Sequence, residues 1–390
     1  AEHKANDDPD IVTIPRKIVL GKGKHVVTVY KNTNGYDSNT LVISSAMNIV
    51  GDPGVAKEEI VVVGGINFKE GIQGNCHLQH LTLRQAKYIG VDGDASFTMD
   101  DVLVEQCGHH GVYARGIGVI GRCTNVEVRQ CGCSGVSAEY GASITLVGAK
   151  TTVHHNCTTG RSDVYGLEVQ GSASSTIQLV SPLTKEQVSL DNGGGGNWGA
   201  DGGADINQIK TMTEAEIETA LAVVAAVVAS GKVRVPEDCK TLKEAVEWVH
   251  GYDRLTTIVV GKGEHQIDEY YDDEYLEIAS AMNIVGDPGV AKSEIVVVGG
   301  ITFKEGIQGN CHLQHMTLGQ TVDMGVHGSS SFTMEDILVE RCGGGVCAHG
   351  TGVVGRCTDV EVRHCGRSGL FAFNGASITL IGAKTTVHHN

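Results

Sequence analysis

Short runs in which apolar and mixed residues alternate recur along the chain: Leu81-Thr-Leu-Arg-Gln85, Val102-Leu-Val-Glu-Gln106 and Val126-Glu-Val-Arg-Gln130. A period of two is that of a strand with one buried face. Each run is followed by a glycine-containing corner and a Gly-Val phrase, of which Gly111-Val-Tyr-Ala-Arg-Gly116 is the clearest instance. Variants of it are Gly90-Val-Asp-Gly-Asp94 and Gly135-Val-Ser-Ala-Glu139. A third apolar segment completes the unit, as in Ser96-Phe-Thr-Met99 or Ser143-Ile-Thr-Leu146. Three short strands every 21 to 26 residues predict one turn of a parallel β-helix. The Leu/Asn consensus of leucine-rich repeats is missing, and a propeller blade would need about 40 residues.

A larger repeat is laid over the short one. Ser45–Leu83 recurs at Ser280–Leu318 with three changes only, Glu58 to Ser293, Asn67 to Thr302 and Leu81 to Met316. The offset is 235 residues there and 234 from Cys131/Cys365 onward, so the chain is two copies of one module. The segment Asp191–Asp205 is polar and rich in glycine and predicts a flexible linker. Two helices follow. Thr213-Glu-Ala-Glu216 is a capping box, Ile217, Leu221, Val224 and Val228 share a face, and Gly231 stops the first helix. Thr241-Leu-Lys-Glu244 opens the second, with Leu242, Ala245, Val246 and Val249 on its apolar side.

The second helix leads into the strand and Gly-x-Gly turn of Thr257-Ile-Val-Val-Gly-Lys-Gly-Glu-His265. A short capped helix in that place, with the rung pattern behind it, resembles the N-terminal cap of right-handed parallel β-helix proteins of the pectin-lyase-like superfamily. The resemblance covers nearly all of both modules and is specific for fold, not for activity. The expected fold is all-β, two tandem right-handed parallel β-helix (solenoid) modules with a small helical linker and cap. Its expected parts are residues 1–190 as module one, 191–210 as glycine-rich linker, 211–251 as helical linker and cap, and 252–390 as a shorter copy of module one. Both modules look cut within a repeat, as they would in a longer tandem array or in a filament stacked end to end.

Composition narrows the partners. The formal charge is −16, with no Lys/Arg cluster, which argues against nucleic acid or anionic membranes. No apolar run reaches the roughly 20 residues that span a bilayer. Twelve cysteines in so long and apolar a chain read as buried thiols, not a disulfide framework. Cys107, Cys131 and Cys157 follow similar strands at intervals of 24 and 26 residues, which predicts a stack and leans toward a reducing, intracellular compartment, with secretion or a cell-surface location left open. The one sequon, Asn156-Cys157-Thr158, lies within this pattern.

The two copies show which positions the duplication kept. Inward positions of the Gly-Val strand are nearly fixed, such as Val112/Val346 and Ala114/Ala348. The alternate, outward positions have changed: Asp92 and Asp94 to His327 and Ser329, Tyr113 and Arg115 to Cys347 and His349, Ser137 and Glu139 to Phe371 and Phe373. Outward residues of the comparison strand are mostly kept, as in Glu105/Glu340, Glu127/Glu361 and Arg129/Arg363. The varied positions therefore predict a recognition face for a carbohydrate or protein on a non-enzymatic scaffold. Adjacent surface aromatics such as Phe371 and Phe373 suit a sugar ring or a partner protein. Drift at solvated positions is the plainer explanation of the same pattern.

The pectin-lyase-like resemblance implies a different alternative, a carbohydrate-active lyase or hydrolase with clustered carboxylates and a cation. Its candidates are Asp100 and Asp101, kept as Glu335 and Asp336, together with Arg115. The paired-Asp, Gly-His-Gly and Arg-x-Lys pattern of polygalacturonases is absent. No cofactor is expected, and no metal site: His109-His110 becomes Gly343-Gly344 in the second copy, and His154-His155, kept as His388-His389, would point to opposite faces of a strand.

Overall fold

The computed structural model describes residues 16–31, 37–171, 174–252, 254–267 and 275–390. Both modules are right-handed parallel β-helices, each coil contributing strands to a wide sheet and to a narrower one. In the first module the narrow sheet stacks, in order, Thr40–Ile43, Gly65–Phe68, Val91–Gly93, Val112–Arg115, Val136–Glu139, Leu167–Gln170 and Trp198–Asp201. The second module repeats it with Tyr275–Ile278, Gly300–Phe303, Met324–Gly328, Gly344–His349 and Leu370–Phe373. The chain divides into two compact units, Ala1–Thr219 and Ala220–Asn390, the division falling in sequence within the helix Glu214–Ser230. No helix among the described residues is long and apolar enough to cross a membrane.

The alternation of the sequence sets the core. Val91, Val112, Ala114, Val136, Ala138, Leu167 and Val169 are fully buried, and the interior of each coil is filled by like residues of its neighbours. Phe97 stacks on Phe68 with ring centroids 5.8 Å apart, and Phe332 on Phe303 at 5.5 Å. The next coil must then carry a residue without a side chain: a Cβ on Gly121 would lie 2.8 Å from Phe97 Cζ.

One residue per coil turns the chain between two strands of the wide sheet in a left-handed conformation: His80, Asp101 and Asn125, with φ of 51°, 52° and 50°. The second module repeats this with His315, Asp336 and Asp359. Asp and Asn tolerate that region better than most side chains, which accounts for the polar residues kept there. Outward residues of the wide sheet are kept because they are bonded to one another. Glu105, 3% exposed, pairs with Arg84 and Arg129, and Arg129 also pairs with Glu127 at 2.8 Å. Arg363, Glu340 and Glu361 repeat the ladder.

Two expectations are corrected. Residues 191–210 are not a flexible linker: Trp198–Asp201 pairs with Leu167–Gln170, and Ile209–Met212 with Thr176–Val180, as a further coil of module one. Its glycines serve close approach, since a Cβ on Gly199 would lie 2.3 Å from the Tyr165 ring. The cysteine stack is also shorter than its spacing implied. Cys107 and Cys131 pack beneath Gly90 and Gly111, but the side chain beneath Gly135 is Asn156. Asn156 Oδ1 accepts from Cys131 N, and Asn192 Oδ1 accepts from Asn156 N, so an asparagine ladder continues the thiols. Cys157 packs instead in a separate small cluster with Cys133 and Val164. All twelve cysteines are buried and free, and Asn156 is 1% exposed, closed to glycan transfer in the folded chain.

Candidate functional site

On the narrow sheet of module one the register stacks Asn67, Asp92, Tyr113, Ser137 and Glu168 in one column. Arg115, Glu139, Gln170 and Asp201 form a second column beside it. Successive members lie about 4.8 Å apart. The columns floor a cleft of about 400 Å³, walled by the corner His109-His110 and by Arg161, Asp163 and Val164 of the loop before Leu167–Gln170. Residues far apart in sequence thus converge on one concavity.

The cleft is rich in carboxyl groups held in unusual states. Burial, with the Asp94 charge beside it, pushes the Asp92 carboxyl up to about 6, and its Oδ1 is buried with no hydrogen-bond partner. Burial pushes Glu168, 1% exposed, up to about 7 although Ser134 Oγ donates to it at 2.6 Å. Glu139 is also raised by burial and accepts a hydrogen bond from the Tyr113 hydroxyl. His110 stacks on Tyr113 with ring centroids 5.2 Å apart, and burial holds its imidazole down to about 3, uncharged at neutral pH. A protonated carboxyl near an ionised one, with water partly excluded, can give a proton and take one.

The predicted site residues separate on this geometry. Asp92, Tyr113, Arg115 and Glu139 line the cleft, and Asp94 stands behind them, its Oδ1 2.7 Å from Arg115 Nη2. The face is not the open surface that alternation implied. Ser137 is 0% and Tyr113 8% exposed, because the loop and the histidine corner lie beside the sheet. In module two Cys347 is likewise buried, while His327, Ser329 and His349 are half-buried. There the rings form a stack: His327 to His349 at 6.2 Å, His349 to Phe373 at 4.4 Å and Phe373 to Phe371 at 4.9 Å. Every carboxylate of the module-one face is gone from it.

Asp100 and Asp101 lie on the wide sheet, so neither joins Arg115. Asp101 is a corner residue, ion-paired with Lys57 at 2.8 Å and with His80 at 2.6 Å; Asp336, Lys292 and His315 repeat the arrangement. Burial works against its charge, but the Lys57 and His80 hydrogen bonds prevail and hold the carboxyl below its usual value. Asp100 accepts from Gln79 Nε2 at 3.2 Å. The His154 and His155 rings do not diverge as a regular strand would require. His155 adopts φ 55°, and the two Nδ1 atoms are 2.7 Å apart. Among the described residues no group of three or more His, Cys, Asp or Glu is arranged to hold a metal.

Glu168, His110, Arg161 and Asp163 were not predicted. The phrase Gly166-Leu-Glu-Val-Gln170 does carry the rung signature, with Leu167 and Val169 at the inward positions, but the second copy has no counterpart to compare with it.

No known family profile and no curated protein matches the chain. Among solved structures it is similar to the Azotobacter vinelandii mannuronan C-5 epimerase AlgE4 A-module, at 12% identity over 96% of this chain and 91% of that one, with a TM-score of 0.29. It is also similar to pectate lyase Pel9A, at 9% identity over 96% and 71%, TM-score 0.28. A third is the catalytic unit of a GH87 α-1,3-glucanase from Streptomyces thermodiastaticus, at 8% identity over 95% and 63%, TM-score 0.30. These three are an epimerase, a lyase and a glucanase, and none of them is a non-enzymatic recognition scaffold of the kind expected from the sequence. At such distance the likeness concerns fold, and the chemistry has to come from the cleft itself.

Proposed function

Taking the chain as a tandem right-handed parallel β-helix of the pectin-lyase-like kind, we propose that its first module is a carbohydrate-active enzyme that hydrolyses a glycosidic bond in the cleft over the narrow sheet. The observation that carries this reading is the convergence of Asp92, Glu139 and Glu168 on one concavity, each with its carboxyl raised by burial. Asp92, half-buried and protonated below about pH 6, gives its proton to the glycosidic oxygen. Glu139, held by the Tyr113 hydroxyl, in its ionised form draws a proton from the water that adds to the anomeric carbon. Glu168 is too enclosed to reach a sugar and keeps the floor of the cleft uncharged at slightly acid pH. Module two, with aromatic rings and no carboxylates on the corresponding positions, has no part in the bond cleavage.

The pH profile tests the assignment. The acid must keep its proton and the base must lose its own, so release of reducing ends from a panel of polysaccharides is expected to follow a bell. Its alkaline limb should fall near pH 6, where Asp92 ionises. Activity that is flat from pH 5 to 9 would contradict the role given to Asp92.

A further inference from the structure

We infer that the cleft of module one admits uncharged sugar residues and excludes uronates, because an ion pair cancels each of its two arginines. This rests on the glycan-hydrolase reading and names the substrate class that reading leaves open. Arg115 directs Nε and Nη2 at the same oxygen, Asp94 Oδ1, at 3.1 and 2.7 Å. Arg161 grips Asp163 through two parallel bonds, Nε to Oδ1 at 3.0 Å and Nη2 to Oδ2 at 2.5 Å. Each pair is neutral as a unit, so neither arginine leaves the cleft a net positive charge to draw in a uronate. Among the described residues no lysine lines the cleft, and burial lowers both histidines from their ordinary value, His110 to about 3.

A uronate entering this space would meet Glu139 and, above pH 6, ionised Asp92, with no unpaired cation among the described lining residues to neutralise it. Hydroxyl groups meet the opposite situation. An uncharged sugar meets no such repulsion, and its hydroxyls are donors for the Glu139 carboxylate and the Gln170 side chain that line the cleft.

The test is to release one arginine and measure binding apart from cleavage. Titration calorimetry of the full chain with trigalacturonate is expected to show no binding, and Asp94→Asn, which frees Arg115, is expected to raise that affinity by about tenfold or more. Asp163→Asn provides a second release at an exposed pair, so the outcome does not depend on how one variant folds. Wild-type binding of trigalacturonate, or no gain in either variant, would overturn the exclusion. Cleavage of neutral gluco-oligosaccharides is scored separately. If both variants gain uronate affinity while no neutral glycan is cleaved, the charge gate stands and the hydrolase reading falls.

Discussion

Asp92→Asn is expected to lower the rate of glycan cleavage by about 10²–10⁴-fold and, at pH 8, to raise the melting temperature of module one. Both effects have one cause. The Asp92 carboxyl is buried, and ionising it means placing a charge where its Oδ1 has no partner and Asp94 stands nearby. The folded state therefore holds the proton more tightly than the unfolded chain does, about 6 against 3.8. With the folded value the higher one, the stabilising contribution is complete below the unfolded value and is lost as pH rises toward 6. Above that, ionised Asp92 costs about 3 kcal/mol at most. Asparagine cannot ionise, so its benefit should appear at pH 8 and vanish by pH 3, while its activity stays low throughout. Thermal unfolding at the two pH values, with kinetics at the optimum, checks both parts. A gain in stability without loss of activity would make Asp92 a strained structural residue only.

Phe97→Ala should cost module one about 3–5 kcal/mol. Its ring is 1% exposed, stacked on Phe68 below and filling the space that Gly121 leaves open above. Removing it opens a void that alanine and glycine neighbours cannot close. Because each coil of a solenoid touches only the coils beside it, the loss belongs to that module. Denaturant unfolding should show the module-one transition moved to lower concentration and the module-two transition in place; Phe332→Ala should do the reverse. A shift of both transitions together would mean that the two units unfold as one.

Much of this fold was legible because its rules are local. A period of two told inward from outward, and Val112, Ala114, Val136 and Ala138 are all fully buried. Duplication within the chain then marked the varied positions, and Asp92, Tyr113, Arg115 and Glu139 do meet at the cleft. What alternation could not supply was contact between distant segments. It placed Ser137 in solvent, yet Ser137 is enclosed, and it gave no reason to put His110 or Arg161 beside the sheet. The glycines of 191–210 read as flexibility, although Gly199 is there because Tyr165 packs against it. Cys157 fitted the spacing of the thiols by one residue too many, since Asn156 holds the stacked position. Asp100 and Asp101 followed from likeness to a family; the left-handed corner and the Lys57 and His80 pairs explain Asp101 without chemistry.

Cleavage in the cleft over the narrow sheet, not at the carboxylates of the wide sheet, is tested most directly by one comparison. Reducing-end release by Asp92→Asn and by Asp101→Asn, measured side by side on the glycan the wild type cleaves best, should show the first variant nearly inactive and the second within a few-fold of wild type. Loss of activity in Asp101→Asn with activity retained in Asp92→Asn would contradict it.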